Sequence, residues 1–251
     1  QRADIALYQA KNNRGDVQVY SPEYDQNTVM RLALVADLAG DGVPEGFGLV
    51  FQPQIETATG RVVCLEALMR WRHPVHGPIE PEVFIPLAEN CGAIRNMSHR
   101  AVEESLRALD RLRVAGHDLS MAVNVSVRLL QDLEVPTWVR EVLAERSVPA
   151  ERLTLEVTES TLLADPRRAL GVLRELRELG VRLAVDDFGT GYSSLSYLQQ
   201  LRPDDLKVDK SFVTHMLADE NDEVIVRSTI ELAHGPVSYT HLRAHETDSY
   251  L

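Results

Sequence analysis

The chain has 251 residues, a net charge of −12, 44% hydrophobic residues and two cysteines, Cys64 and Cys91. Its length gives one to two domains with apolar material for a substantial core, while the acidic balance argues against a nucleic-acid polymer as partner, which would demand a basic footprint. Two cysteines without metal-ligand spacing argue against a disulfide framework and fit a reducing cytoplasm, and neither a signal-peptide pattern nor a run of the roughly 18 to 20 apolar residues of a membrane span is found.

In chain order, Ser21 to Leu38 reads as a linking helix whose apolar face carries Val29, Leu32 and Val35. From Phe47 to Gly235 strand-like and helix-like runs alternate. The strands are centred on Leu49–Phe51, Val62–Leu65, Met121–Val123, Leu153–Leu155, Val181–Val185 and Leu206–Val208. Val102, Leu106, Leu109 and Leu112 share one helix face, and Leu170, Leu173, Leu176 and Leu179 share another. Gly116 and Gly180 stand where those helices should stop, and Asp165-Pro166 marks the start of the second. Strands separated by helices imply a parallel sheet, because parallel neighbours need long crossovers. The expected architecture is α/β, a (β/α)8 barrel rather than an open sheet, although periodicity alone does not separate the two.

Polar residues recur at the ends of these strands: Glu66 after the second, Asn124 after the third, Glu156 at the end of the fourth, Asp186-Asp187 after the fifth, and Lys207 within the sixth. One Asp after a strand is more often a helix cap or turn residue. Five strands delivering oxygen ligands or an amine to one rim point to a site, since a barrel gathers its C-terminal strand ends at one mouth. Carboxylates with one neutral carbonyl suit Mg²⁺ or Mn²⁺; zinc would favour His or Cys. Adjacent aspartates ionise together in a pocket only when a cation neutralises them, and two metals about 4 Å apart can clamp both oxygens of a phosphodiester displacement. These residues alone allow any β/α metallohydrolase.

Glu66-Ala67-Leu68 within LEALMRWRHP, followed by GPIEPEVFIPLAENCGAI, AVNVS, LEVTES, DDFGTGYSSLSYL and LKVDKSF, resembles the EAL domain family in order and spacing, over roughly Gly48 to His234. The resemblance implies metal-dependent hydrolysis of cyclic-di-GMP to linear pGpG in bacterial second-messenger signalling. It assigns Glu66, Asn124, Glu156, Asp186 and Asp187 to a two-metal site, with Glu66 and Lys207 catalytic and Lys207 orienting or activating the attacking water. It assigns Arg70 to a substrate phosphate, Gln52 of FQPQI to the substrate's surroundings, and Glu159 to holding the DDFGTGYSS loop. Phe51 stands where many relatives carry Tyr. The alternative is a degenerate EAL module that binds cyclic-di-GMP or a protein partner without turnover. EAL relatives often form homodimers, so the resemblance extends to that assembly.

Both ends depart from this domain. Ala3–Lys11 with Asn12-Asn13-Arg14-Gly15 resembles the last helix and turn of a GGDEF domain, without that family's active loop. Residues 1–20 are thus read as a GGDEF remnant, 21–40 as the linker helix and 41–236 as a truncated EAL domain. The parent would be a cytoplasmic tandem protein with upstream GGDEF and sensory domains, or one tethered to a membrane through the missing sensor. After VIVRSTIELAH the family continues with a strand ending Ala-Glu-Gly-Val-Glu-Thr and carrying a further catalytic Glu; here GPVSYTHLRAHETDSYL follows. Val237 to Glu246 back-translates without mismatch as GTC TCT TAT ACA CAT CTC CGA GCC CAC GAG, a transposase adapter of sequencing libraries. Residues 237–251 are therefore read as translated adapter, and the helical i, i+4 spacing of His241 and His245 is not read as a metal site. Lacking its last strand–helix units, such a chain is expected to fold poorly and to be inactive.

Overall fold

The computed structural model describes residues 22–40, 42–158, 166–189, 195–234 and 241–244. Helix α1 (Pro22–Leu38) leads into a hairpin of β1 (Phe47–Glu56) and β2 (Arg61–His73), with β3 (Gly77–Ile79) folded back on the end of β2. Helices α2 (Pro81–Cys91) and α3 (Ile94–Val114) precede β4 (Ser120–Asn124). Then follow α4 (Val127–Leu130), α5 (Val135–Glu145), a 3₁₀ turn at Ala150–Arg152 and β5 (Leu153–Thr158). Helix α6 (Pro166–Glu178), β6 (Arg182–Phe188), α7 (Leu195–Leu201) and β7 (Asp205–Val208) continue the alternation. Helices α8 (Lys210–His215) and α9 (Glu220–His234) and strand β8 (His241–Ala244) complete it.

The strands form one sheet in the order β1-β2-β4-β5-β6-β7-β8, with β3 on β2. From β2 to β8 the neighbours along this path are parallel. Among the described residues no pairing joins β1 to β8, so the architecture seen is a mixed α/β sheet and barrel closure is not part of it. All six expected strands are present, but two differences stand out. β1 runs antiparallel to β2, from Phe47↔Trp71 to Glu56↔Arg61. The connection Thr57–Gly60 is too short for a crossover, and the amides of Thr59 and Gly60 close it onto the Glu56 carbonyl at 3.2 and 2.8 Å. β8 is an additional strand, paired through its backbone in register Asp205↔His241 to Val208↔Ala244.

The helices cover the sheet with the faces their periodicity predicts. Val102, Leu106 and Leu109 of α3 are buried, as are Leu170, Leu173 and Leu176 of α6. Each such side chain contributes about 1.5–3 kcal/mol. Gly116 and Gly180, with φ of 88° and 94°, stop the two helices in the left-handed region. The face expected for α1 is corrected in part: Val29 and Leu32 are 64% and 65% exposed, whereas Val35 packs against the core beside the buried Leu34 and Leu38. The helix carries overlapping apolar stripes, and docking against α2 and the end of β2 selects the one through Leu34 and Leu38. The entry to the hairpin is equally specific. Trp71 Nε1 donates to the Glu45 carbonyl at 3.0 Å, and Trp71 packs edge-on against Phe84. Next to it Gly46 adopts φ +80°, where an added Cβ would lie 2.0 Å from the Arg72 carbonyl oxygen.

Candidate metal centre

One face of the parallel sheet gathers the chemistry. In register, Glu66 stands opposite Ala122, Asn124 opposite Glu156, and Glu156 opposite Ala184. Side chains alternate along a strand, so Glu66, Asn124, Glu156 and Asp186 emerge on the same side. The alanines between them leave room for the carboxylates to converge. Glu66 lies inside β2 and Asp186 inside β6, because both strands run further than their apolar cores suggest.

Lys207 occupies the centre. Its Nζ lies 3.2 Å from Glu66 Oε1, 2.8 Å from Glu156 Oε2 and 2.8 Å from Asp186 Oδ2. All four residues are buried. Asn124 Nδ2 donates to Glu66 Oε1 at 3.1 Å, and Gln54 Nε2 donates to Glu66 Oε2 at 3.2 Å. The Asp187 amide donates to Asp186 Oδ1 at 2.9 Å. Glu156 Oε1 is buried and accepts no hydrogen bond among the described residues.

The electrostatics follow from this packing. Burial alone would lower the Lys207 pKa, but attraction to Glu156, Asp186 and Glu66 together outweighs it and keeps the ammonium charged. Burial pushes the Glu156 carboxyl up to about 8, opposed by Lys207 and reinforced by Glu66 and Asp186. The two shifts pull against each other, since the rise at Lys207 relies on an ionised Glu156. The 2.8 Å contact between them favours the charged pair. Asp187 is pushed up to about 6 by burial, then by Asp186 and Asp209.

One carboxylate oxygen from each of Glu66, Glu156 and Asp186 lies within 4.8 Å of the others. Three carboxylates facing one ammonium leave an excess of negative charge in a buried place, and Glu156 keeps an orphaned oxygen there. Both features fit a hard divalent cation.

The structure thus joins Glu66, Asn124, Glu156, Asp186 and Lys207. Asp187 lies beside them at a break in register between Val185 and Phe188, with φ 53°. That irregularity lets consecutive aspartates leave the strand in different directions. Gln52 stands directly opposite Glu66 across the hairpin. Arg70, half-buried and four residues along β2 from Glu66, donates to the Met69 carbonyl at 2.9 Å. Glu159 lies outside the described residues. Sequence reasoning missed Gln54, although its place two residues after Gln52 on one strand was the available signal.

Fold and site together define an α/β domain built round a buried acidic cluster able to take a hard cation. The chain belongs to the EAL domain family, whose profile matches residues 43–236. It is 41% identical over 232 residues to an uncharacterized signaling protein of Caulobacter vibrioides, covering 92% of this chain and 28% of that one. It is 38% identical to the cyclic di-GMP phosphodiesterase NbdA of Pseudomonas aeruginosa, covering 92% of this chain and 30% of that one. With MucR of the same organism, a bifunctional diguanylate cyclase/cyclic di-GMP phosphodiesterase, identity is 36% over 92% of this chain and 34% of that one. The chain therefore spans about a third of the length of these relatives. The solved MucR phosphodiesterase in complex with c-di-GMP superposes with a TM-score of 0.77 at 32% identity, over 89% of this chain and 87% of that one. The EAL enzyme Bd1971, with cAMP and cyclic-di-GMP bound, gives 0.79 at 27% identity, over 89% and 61%. No helix among the described residues is long and apolar enough to cross a membrane.

Proposed function

We propose that this domain comes from a metal-dependent phosphodiesterase that hydrolyses cyclic-di-GMP to pGpG. The observation that carries the reading is the convergence of Glu66, Glu156 and Asp186 on one point, with a Glu156 oxygen left unpartnered. Glu66, Asn124, Glu156, Asp186 and Asp187 would hold Mg²⁺ or Mn²⁺ as a two-metal site. Such ions neutralise phosphate charge and lower the pKa of bound water. Lys207, fixed by three carboxylates, would orient the attacking water and stabilise charge developing on the phosphate oxygens. Gln52 and Arg70 would contact the substrate, and Glu159 would hold the loop after β6. Support for the substrate is the likeness to relatives named for acting on cyclic di-GMP, and to a structure solved with it.

The test is hydrolysis of cyclic-di-GMP by the domain with its native continuation, followed by chromatography for pGpG with Mn²⁺ and with excess chelator. Metal-dependent pGpG supports the reading. Tight binding of cyclic-di-GMP without turnover would assign the domain to the degenerate, ligand-binding class instead.

The wider organisation belongs to the same proposal. The parallel run from β2 to β7 is read as part of a (β/α)8 barrel, whose further strand–helix units would follow β7 and bridge to β1. Residues 1–20 are read as a GGDEF remnant and 21–40 as its linker, in a cytoplasmic parent or one tethered through a sensory domain. In support, the match to the bifunctional MucR covers 92% of this chain, more than the segment from residue 43 onward can hold, so it reaches into the residues ahead of the EAL profile. Residues 237–251 are read as translated adapter, which accords with the profile's end at residue 236. β8 does not oppose this, because pairing to a strand edge uses backbone groups that almost any sequence supplies. Homodimer formation through the EAL domain completes the reading.

A further inference from the structure

We propose that Gln54 is a positioning residue for the metal centre, fixing the Glu66 carboxylate so that it presents one defined edge to the cation. The inference rests on the metal reading above and adds to it a residue that the resemblance left without a role. Glu66 is held from both sides. Oε1 accepts from Asn124 Nδ2 and is ion-paired with Lys207 Nζ, while Oε2 accepts from Gln54 Nε2 at 3.2 Å. A carboxylate gripped at both oxygens keeps its rotamer, whereas one gripped at a single oxygen can swing about its last torsion.

The local backbone is built for this contact. Gln52 is the residue directly opposite Glu66, and Gln54 is opposite Cys64, so Gln54 reaches Glu66 along the diagonal of the ladder. Diagonal neighbours are separated by about 7–8 Å, within reach of a long side chain and beyond that of Ser or Asn. The register of the hairpin breaks between Gln54 and Ile55. The extra residue is Val63 of β2, between Cys64 opposite Gln54 and Val62 opposite Ile55, so the regular register that sets the Gln54–Glu66 diagonal ends just beyond Gln54. The amide is also the right chemistry. It donates a hydrogen bond without bringing charge, so the negative excess of the cluster survives. A lysine here would neutralise Glu66 and repel the incoming cation. Groups that hold a ligating side chain from behind in this way typically change metal affinity by about 10- to 100-fold when removed.

The experiment measures Mn²⁺ affinity by electron paramagnetic resonance on the domain with its native continuation, as wild type and as Gln54→Met and Gln54→Ala, with thermal unfolding in chelator run on each. Methionine keeps the length and bulk of the side chain and loses only the donor; the alanine variant keeps the question open should methionine pack badly. The expected result is a Kd for Mn²⁺ raised about 10- to 100-fold in both variants, while the unfolding midpoint in chelator stays near wild type. Wild-type affinity in Gln54→Met overturns the positioning role and leaves the metal reading standing. A methionine variant that binds normally beside an alanine variant that does not also overturns it, by assigning Gln54 to packing. Failure of the wild type itself to bind Mn²⁺ overturns the metal reading and this proposal with it.

Discussion

His73 Nε2 lies 2.7 Å from Asp37 Oδ2, joining the leading helix α1 to the end of the strand that carries Glu66. His73 Nδ1 accepts the backbone amides of Val75 and His76, both at 3.1 Å. An imidazole that accepts at Nδ1 carries its proton on Nε2, so His73 is neutral and donates to Asp37. The contact is therefore a hydrogen bond from a neutral ring, although its distance alone would also satisfy an ion pair. Asp37→Asn should retain it through the amide oxygen. Asp37→Ala should cost about 1 kcal/mol, a fall of roughly 2–4 °C in a domain of this size. Thermal unfolding of the two variants side by side checks this, and equal midpoints would remove the bond from the account.

Metal removal should abolish hydrolysis by the natively continued domain. Glu66→Ala and Asp186→Asn should do the same, since the first removes one of three converging carboxylates and the second removes the charge of another. Both variants should keep the fold, because deleting one carboxylate lowers the like-charge repulsion around Lys207. Circular dichroism alongside the pGpG assay separates the two effects. Turnover that persists undiminished in excess chelator would end the two-metal reading.

Lys207→Ala should act twice. In chelator it strips the only counter-charge that the described contacts give the buried cluster, and breaking a buried pair from one side costs about 3–5 kcal/mol. Mn²⁺ should restore much of that loss by neutralising the same oxygens. In turnover, the variant should lower kcat far more than it raises KM. The check is the unfolding midpoint with and without Mn²⁺ and the steady-state split. A midpoint loss indifferent to Mn²⁺ would separate Lys207 from the cation site.

His99 gives a pH prediction away from the site. It stacks on Trp138 with ring centroids 4.0 Å apart, and its Nε2 is buried without a hydrogen-bond partner among the described residues. Burial, then Arg95, lowers its pKa, opposed by Asp132 and Glu103. Below the ordinary histidine value of 6.5 the unfolded chain takes up a proton that the folded chain refuses, so stability falls as the pH drops. Glu89, raised chiefly by burial, works in the opposite sense at lower pH. Chemical denaturation at pH 7.5 and about pH 5.5 should show a loss that His99→Phe reduces. An identical slope in that variant would refute the assignment.

Resequencing the source locus should show the Gly235 codon followed by a strand resembling Val-Val-Ala-Glu-Gly-Val-Glu. A genomic read encoding SYTHLRAHET in place would make the tail native. With the native continuation restored, fold and hydrolysis should both improve over the 251-residue chain.

Much of this was legible in the sequence, for identifiable reasons. The strands through Met121, Leu153 and Leu183 are short apolar runs with both faces covered, so composition alone marks them. Glu66, Glu156, Asp186 and Lys207 were legible because charged residues inside such runs are anomalous. The antiparallel entry of β1 was missed because the alternation suggested crossovers, when the deciding fact was the short link ending in Gly60. The docked face of α1 was missed because Val29/Leu32 and Leu34/Leu38 are equally apolar, and only tertiary contact chooses between them. Gln54 sits between Pro53 and Ile55 with nothing local to mark it, and only the pairing of β1 with β2 brings it diagonal to Glu66.

The four groups at the centre come from β2, β5, β6 and β7, so residues as far apart as 66 and 207 must meet. No hairpin or single crossover unit assembles more than two of the four, and closing loops of that length comes late in folding. Cation affinity should accordingly emerge in one step with the complete sheet, making a bound Mn²⁺ signal a direct readout of how much of any preparation is native.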